Sequence, residues 1–233
     1  MTDAAALSLL ASGEMEILGL VPNASNATLL ARVTSGRSET LAVYKPRRGE
    51  RPLWDFPDGT LCRREFAAWL VDRALGWGLV PPTVLRDGPA GFGAVQLWVE
   101  EDEGVDVRDL LETHADDLRR VAAFDLIVNN ADRKASHLIV DREGRLWSVD
   151  HGICFAAEPK LRTVIWAFEG EPIAEGLLAD IRRLQRSGTL GELGEHLSAG
   201  EVEALCLRIE AVLRARRFPA PAPGGRNVPW PPW

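Results

Sequence analysis

The chain has 233 residues, of which 46% are apolar, and its formal net charge is -7. This length and composition predict a globular protein with a substantial core, built as one large domain or two small lobes. The acidic balance argues against a nucleic-acid partner, because affinity for the phosphate backbone depends on clustered Lys and Arg. It also argues against stable association with anionic membrane surfaces, and no apolar run approaches the roughly 20 residues of a membrane span.

The N-terminus and the cysteines indicate the compartment. Met1-Thr2-Asp3-Ala4 lacks the basic region of a signal peptide, so we expect a cytoplasmic protein. The three cysteines are odd in number and show no CxxC spacing, which predicts neither a disulfide framework nor a zinc knuckle. We expect them to be small buried hydrophobic residues.

The first hundred residues predict an antiparallel sheet that carries one helix. Strand patterns cover 15–21, 28–34 and 39–45, with turns of small polar residues between them. A loop over 46–60 contains three prolines and two glycines, and apolar residues at a helical period follow over 61–77. Two more strand patterns, 83–86 and 92–99, complete a predicted five-stranded sheet.

The acidic turn 100–104 marks the predicted lobe boundary, because the pattern changes there from strands to helices. We therefore predict an N-terminal lobe over 1–100, a helical lobe over 101–217 and a tail over 218–233. The helical lobe is expected to contain helices near 115–129, 175–187 and 199–216, and strands near 138–140 and 146–149. The tail is rich in Pro and Trp, so it should be extended or disordered unless it docks.

Two carboxylates occupy positions suited to a phosphate-bearing metal site. Asp132 lies in a polar loop after the buried helix, and Asp150, 18 residues later, ends a strand pattern just before His151-Gly152. One carboxylate can orient a hydroxyl nucleophile while the other holds a divalent ion, as phosphoryl transfer requires. For Asp132 alone, a capping or turn-forming role is an open alternative.

Upstream residues suggest how a nucleotide would be held. Lys45 ends an apolar strand and Glu65 follows 20 residues later on the predicted helix, so an ion pair between them could steady the lysine over phosphates. Taken alone, Lys45 fits a solvated edge lysine better, and only its combination with the other residues favours a role in phosphate binding. The loop 22–27 lacks P-loop glycines, so phosphate contacts there would come from backbone amides such as those of Ser25 and Asn26, and a plain hairpin turn is the alternative.

The order of these residues resembles a known family. A lysine on the third strand, a glutamate on a helix, Asp-Arg after a buried helix and Asp-x-Gly after the next strand are similar to the core of phosphatidylinositol 3- and 4-kinases and HipA-type bacterial kinases. The whole chain also resembles an actinobacterial protein family with a kinase core of this kind, over about residues 14–215. The resemblance implies an α+β, two-lobed protein-kinase-like fold. It further implies an ATP-dependent phosphotransferase that uses Mg²⁺ or Mn²⁺ and acts on a hydroxyl of a protein or a small polar metabolite.

The resemblance also implies a role for each site residue. It makes Asp132 the catalytic aspartate, with Arg133 and Lys134 beside it, and Asp150 the principal metal ligand. Lys45 would contact the nucleotide phosphates with Glu65 as its partner. The hinge that faces adenine would comprise residues 96–99, including Gln96, Trp98 and Val99.

One departure from the phosphoinositide-kinase motif leaves alternatives open. His137 stands where that motif has asparagine, and Lys134 replaces its histidine. Imidazole favours softer ions than Mg²⁺, so His137 is either a ligand, with Mn²⁺ preferred, or no ligand at all. The first alternative function is therefore a nucleotide-binding pseudokinase that acts as a regulator or scaffold.

Two further readings concern other residues. A metallohydrolase could use Asp132, His137, Asp150 and His151 as a mixed cluster, although their spacing matches no common metal motif. The arginines of the 46–60 loop, Arg47, Arg48 and Arg51, either recognise an anionic acceptor or are simply solvated.

Overall fold

The N-terminal lobe is built on a five-stranded antiparallel sheet. The computed structural model describes residues 2–22 and 26–233. The strands are ordered β1-β2-β3-β5-β4 across the sheet, and the third predicted strand therefore lies at its centre. Their bounds are β1 (Glu14–Leu20), β2 (Leu29–Ser35), β3 (Ser38–Pro46), β4 (Thr83–Gly88) and β5 (Gly91–Leu97).

The two faces of this sheet are covered by different helices. Tyr44 of β3 is buried in a cluster with Leu9 and Leu10 of helix α1 (Asp3–Ser12). Because successive side chains of a strand point to opposite faces, Lys45 points away from α1 and toward helix α2 (Leu61–Leu75). The alternation of β3 thus directs one lysine to the α2 face.

The first helix was not predicted from the sequence. Helix α1 begins after Thr2, whose side chain accepts a hydrogen bond from the Ala5 N–H, and its apolar side chains pack under the sheet. Its apolar residues are mostly alanine, so the periodic pattern is faint. Helix α2 ends at Leu75 rather than at Trp77, because Gly76 adopts the left-handed conformation that stops a helix.

The second lobe is mainly helical and carries one short hairpin. Helix α2 contributes its far face to the same core as this lobe, where Leu70 and Leu75 belong to one cluster with Phe124 and Ile127. The helices are α3 (Leu110–Thr113), α4 (Ala115–Val128), α5 (Glu175–Gln185), α6 (Thr189–Leu193) and α7 (Ala199–Ala215), and the hairpin pairs β6 (Leu138–Val140) with β7 (Leu146–Ser148). The short helices α3 and α6 were not predicted.

The C-terminal tail docks on the helical lobe, the outcome that the sequence had left open. The Thr163 N–H and the Trp166 indole N–H both donate to the Asn227 carbonyl, each at 3.0 Å. The Ala135 N–H donates to the Pro232 carbonyl at 2.9 Å. The tail therefore reaches the polar loop that contains Asp132.

The sequence predicted three buried cysteines and no membrane-spanning helix. Cys62 and Cys154 are buried free thiols, whereas Cys206 is a partly exposed free thiol, so the expectation of burial was wrong for Cys206. Over the described ranges, no helix combines the length and the apolar character needed to cross a bilayer.

Candidate active site

Lys45 lies between two carboxylates from different parts of the chain. Its ammonium pairs with Glu65 Oε1 of α2 and lies 2.9 Å from Asp150 Oδ1. Burial by itself would lower the pKa of Lys45, but the charges of Asp150 and Glu65 outweigh burial and raise it. Lys45 is therefore a charged lysine held in one place, and the interpretation as a freely solvated edge lysine is excluded.

Glu65 connects this lysine to the segment that carries Asp150. Its side chain is almost fully buried, and its second oxygen, Oε2, accepts a hydrogen bond from the His151 N–H at 3.0 Å. Gly152 follows, where an added Cβ would lie 3.3 Å from Glu65 Oε1. Such a contact would be tight, so the glycine lets Glu65 approach this backbone without displacement.

Asp150 projects from a sharp backbone turn at the end of the β7 segment. Its φ is +59°, a left-handed conformation that Asp tolerates better than most residues. The Lys45 charge holds the pKa of Asp150 well below its usual range, so this carboxylate is ionised. Its side chain remains about half exposed, at 51%, which leaves it accessible to a ligand.

His137 faces Asp150 from the other side of the site. Its Nε2 lies 3.4 Å from Asp150 Oδ2, and burial lowers the pKa of His137 to about 4. At neutral pH the imidazole is therefore uncharged and has the protonation state that a metal ligand requires.

Asp132 and Lys134 form a second ion pair, with Lys134 Nζ 3.2 Å from Asp132 Oδ2. The Asp132 N–H donates to Asn130 Oδ1 at 3.0 Å, which fixes the start of this loop. Burial raises the pKa of Asp132 against the opposing charge of Lys134, so the carboxylate is more basic than a solvated one.

Arg133 points away from this pair and is fully buried. Its guanidinium forms a two-oxygen ion pair with Asp125 of α4, at 3.0 Å for the closest contacts, and also donates to the Val149 carbonyl at 2.9 Å. Its Nη2, which also contacts Asp125, lies 2.8 Å from His151 Nε2. Arg133 thus ties α4 to the 149–151 segment and does not line the site itself.

Sequence reasoning missed the partners of this buried arginine. Asp125 sits in the apolar face of α4, and Asn130 donates to the same carboxylate at 3.0 Å. A charged residue inside an otherwise apolar helical face was the available signal, because such a residue needs a buried partner. Nothing in the sequence identified which basic side chain would be the partner of Asp125.

The predicted hinge, 96–99, begins inside the end of β5, and its three named residues differ in their environment. Gln96 is buried and its amide donates to Thr83 Oγ1 at 2.8 Å, so its side chain joins β5 to β4. The Trp98 N–H donates to the Leu41 carbonyl at 3.1 Å, whereas the Val99 N–H makes no backbone hydrogen bond within the described chain. Val99 is thus the residue of this set with a main-chain donor to offer.

Two residues of the 22–27 loop, Ser25 and Asn26, were predicted to contact phosphates. Ser25 lies outside the described residues. The Asn26 side-chain oxygen accepts from the Arg51 N–H at 2.9 Å, which fastens this loop to the segment after β3.

The site offers a metal ion few protein ligands. Within residues 2–22 and 26–233, no group of three or more His, Cys, Asp or Glu side chains could hold an ion. The mixed metallohydrolase cluster is therefore not assembled, and the buried His151 imidazole faces Arg133 and Ser148 instead. Asp150 could hold an ion that is also bound by substrate phosphates, since Mg²⁺ is often held by one or two carboxylates and phosphate oxygens, and His137 could add a nitrogen ligand of the kind that softer ions prefer.

Comparison with sequences identifies one full-length relative and two partial ones. No protein-family model matches the chain. It is 42% identical over 262 aligned residues to Protein Rv2133c of Mycobacterium tuberculosis (strain ATCC 25618 / H37Rv), covering 96% of this chain and 94% of that protein. Phosphatidylinositol 4-kinase gamma 4 of Oryza sativa subsp. japonica is 26% identical over 124 residues, 45% of this chain and 22% of that protein. Phosphatidylinositol 4-kinase gamma 3 of Arabidopsis thaliana is 25% identical over 186 residues, 63% of this chain and 31% of that protein.

Solved structures show the same fold at low sequence identity. The Golgi casein kinase superposes with a TM-score of 0.57 at 12% identity, covering 94% of this chain and 79% of that one. The Helicobacter pylori proinflammatory kinase CtkA gives 0.51 at 12% identity, covering 90% and 94%. The α+β kinase-like fold predicted from the sequence is therefore confirmed. The chain belongs to the family of Protein Rv2133c, and its own fold is the two-lobed, kinase-like one of these solved structures.

Proposed function

We propose that the protein is an ATP-dependent phosphotransferase that passes the γ-phosphate to a hydroxyl of a protein or a small polar metabolite in the cytoplasm. The observation that carries the proposal is the position of Lys45 between Glu65 and Asp150 in a kinase-like fold. Glu65 is buried and also bonded to the His151 backbone, so it can keep the lysine in place when phosphates draw it from Asp150. This is the arrangement by which a lysine positions nucleotide phosphates.

In the proposed reaction, Asp132 acts on the acceptor. Its raised pKa suits a carboxylate that orients the acceptor hydroxyl and takes its proton as the new O–P bond forms and the bond to the ADP oxygen breaks. Lys134 lies beside it and supplies positive charge near the transferring group. Arg133 is assigned a positioning role, since its contacts fix Asp125 and the Val149 carbonyl rather than substrate.

Asp150 and His137 would hold the divalent ion, Mg²⁺ or Mn²⁺, which neutralises phosphate charge when bound. Asp150 is ionised and half exposed, and His137 is neutral, so both have donor atoms in the required state. For adenine we propose the 96–99 segment, with Val99 as the main-chain contact. Asn26 and Ser25 stay proposed as phosphate-loop residues.

The second candidate is a nucleotide-binding pseudokinase that serves as a regulator or scaffold. The observation that favours it is His137 at the motif's asparagine position, since imidazole is a poorer ligand for Mg²⁺ than an amide oxygen. His137→Asn separates the two candidates. We expect wild-type protein to prefer Mn²⁺ over Mg²⁺ in nucleotide binding and the variant to shift toward Mg²⁺; an unmoved preference would exclude His137 as a ligand.

The test compares binding with transfer in the same variants. Nucleotide affinity is measured by titration calorimetry with Mg²⁺ and with Mn²⁺, and transfer is measured as ADP formation and as labelled phosphate on the protein or on a metabolite panel. Asp150→Asn should abolish metal-dependent binding, while Asp132→Asn should retain binding and lose transfer. Tight binding without any turnover in wild-type protein would favour the pseudokinase, and equal loss of both activities in both variants would contradict the division of roles.

A further inference from the structure

Beside the proposed active site, the loop 46–60, named here the cross-lobe loop, encloses a cleft of about 480 Å³. Three arginines of this loop line the cleft, together with an apolar floor. The arginines are Arg47, Arg48 and Arg51, and the floor is formed by Leu53, Phe56 and Leu61. We call this feature the arginine cleft.

The walls of the arginine cleft are fixed to both lobes. On the sheet side, the Arg48 Nε–H donates to the Ala90 carbonyl at 3.0 Å and the Arg51 N–H donates to Asn26 at 2.9 Å. On the helical side, Lys160 Nζ lies 3.0 Å from Asp55 Oδ2, and both side chains are nearly buried. The cross-lobe loop is therefore a clamped segment rather than a loose charged loop.

The acidic residues of the cleft do not neutralise its three arginines, whose charges are therefore available to a ligand. Within the part of the chain that the structure describes, Arg47, Arg48 and Arg51 form no ion pair with a carboxylate. Glu50 also lines the cleft, but its two oxygens accept from the N–H groups of Leu61 and Cys62 at the start of α2, at 3.1 and 2.8 Å. Asp58 is the other acidic residue of the lining, so the arginines remain in excess.

The cleft adjoins the catalytic loop through its floor. Phe56 and Leu61 are buried in one cluster with Ala131, the residue before Asp132, and the partly buried Ile153, which follows Gly152, packs against this cluster. A molecule in the cleft would thus rest on side chains that pack, on their other side, against the segments that carry Asp132 and Asp150. The Arg47 guanidinium packs against Gly59, where an added Cβ would approach Nε to within 2.3 Å, so the glycine leaves room for this arginine.

We propose that the arginine cleft is the acceptor subsite and that it binds a phosphate or carboxylate group of the hydroxyl-bearing acceptor. Guanidinium groups bind both anions with paired hydrogen bonds, and the apolar floor would contact the carbon skeleton between the anion and the hydroxyl. The acceptor role depends on the proposed phosphotransferase function; the anion site itself does not.

The first experiment locates anion binding without measuring activity. Inorganic phosphate and acetate are titrated separately into the ¹⁵N-labelled full chain, with and without a nonhydrolysable ATP analogue and Mg²⁺. We expect the amide signals of Gly59 and Leu61 to shift with phosphate, acetate or both, and the shifts to persist with the analogue present. Arg47→Gln and Arg51→Gln should each weaken this binding about tenfold, the loss expected for one charged hydrogen bond.

The matched control is Arg37→Gln, because Arg37 is an exposed arginine in the turn between β2 and β3. It should bind both anions as the wild type does. Absence of shifts at Gly59 and Leu61 would overturn the proposal. The proposal would also be overturned if the ATP analogue displaced the anion from the cleft and if Arg47→Gln and Arg51→Gln lowered nucleotide affinity. The arginines would then bind nucleotide phosphates.

The second experiment tests the acceptor role with a panel of hydroxyl compounds paired by charge, such as glycerol and glycerol 3-phosphate. We expect transfer to the anionic member of a pair, with KM raised about tenfold in Arg47→Gln and kcat little changed. Equal transfer to charged and uncharged members with unaltered KM would overturn the acceptor role. Anion binding in the cleft without nucleotide binding anywhere would instead remove the phosphotransferase proposal and keep the anion site.

Discussion

The His151 N–H donates to Glu65 Oε2 at 3.0 Å, while the other oxygen of Glu65 pairs with Lys45. One buried carboxylate therefore sets the position of the lysine on the sheet and of the backbone that follows Asp150. Because both contacts are made by a single side chain, the two halves of the proposed nucleotide site cannot move independently while Glu65 is charged.

Replacing this carboxylate should affect both halves at once. We expect Glu65→Gln to lower the free energy of unfolding by about 2 kcal/mol, less than a fully orphaned buried charge would cost, because Lys45 keeps Asp150 as a partner. Urea unfolding measures the loss, and Glu203→Gln on the exposed face of α7 is the control. A variant as stable as the control would show that Glu65 does not hold the lobes together.

The buried Arg133–Asp125 pair should be more sensitive than any surface pair. Arg133→Lys keeps the charge but loses the two-oxygen contact and the hydrogen bond to the Val149 carbonyl, so we expect destabilisation of about 3 kcal/mol. Arg142→Lys, whose partner Glu100 is exposed, should cost less than about 0.5 kcal/mol. Thermal and urea unfolding of both variants provide the measurement.

A positioning role for Arg133 also predicts a kinetic signature. If the guanidinium acts through the 149–151 segment, Arg133→Lys should reduce kcat at a temperature where the variant is fully folded, with nucleotide affinity changed less than in Asp150→Asn. An unchanged kcat in the folded variant would restrict Arg133 to a stabilising role.

Stability should fall in mild acid because of His137. Its pKa is lowered to about 4 in the folded protein, against a usual value near 6.5. Between pH 4 and pH 6.5, His137 is therefore protonated in the unfolded chain but neutral in the folded protein. This contribution is present above pH 6.5 and decreases as the pH falls toward 4, by at most about 3.4 kcal/mol.

The measurement is urea unfolding at several pH values between 7 and 4.5 for wild type and His137→Asn. The variant should show a shallower dependence on pH. Some slope should remain, because burial also lowers the pKa of His151. Identical slopes in the two proteins would contradict a buried, neutral His137.

The docked tail predicts a local effect on the catalytic loop. Removing residues 219–233 keeps the buried Phe218 but deletes the carbonyls of Asn227 and Pro232, which accept from Thr163, Trp166 and Ala135. We expect the Ala135 and Thr163 amides to exchange hydrogen faster and the free energy of unfolding to fall by about 2 kcal/mol.

The control for truncation is the double substitution Trp230→Ala with Trp233→Ala. Both indoles are largely exposed, at 82% and 74%, so their loss should leave exchange at Ala135 and Thr163 unchanged. Unaltered protection in the truncated chain would show that the tail does not support the loop.

The sequence by itself determined that a sheet lobe precedes a helical lobe and that neighbouring side chains of β3 point to opposite faces of the sheet. Strand alternation places Tyr44 and Lys45 on opposite faces of the sheet, and this opposition follows from the period of a strand alone, whereas the helix that covers the Tyr44 face was seen only in the structure. The helical period of α2 and the apolar character of α4 were likewise readable, because burial of one face requires it. Helix α1 was missed since alanine leaves a weak pattern.

The tertiary structure alone decided which polar groups meet. Asp125 and Arg133 are 8 residues apart, but the contacts of Arg133 with the Val149 carbonyl and with His151 depend on how the 149–151 segment returns beside α4. The arrival of the tail at Ala135 and the clamping of the cross-lobe loop by Lys160 involve partners about 100 residues apart. Hydrophobic periodicity encodes which side of an element is buried, whereas the pairing of buried charges depends on distances between elements that no local pattern contains.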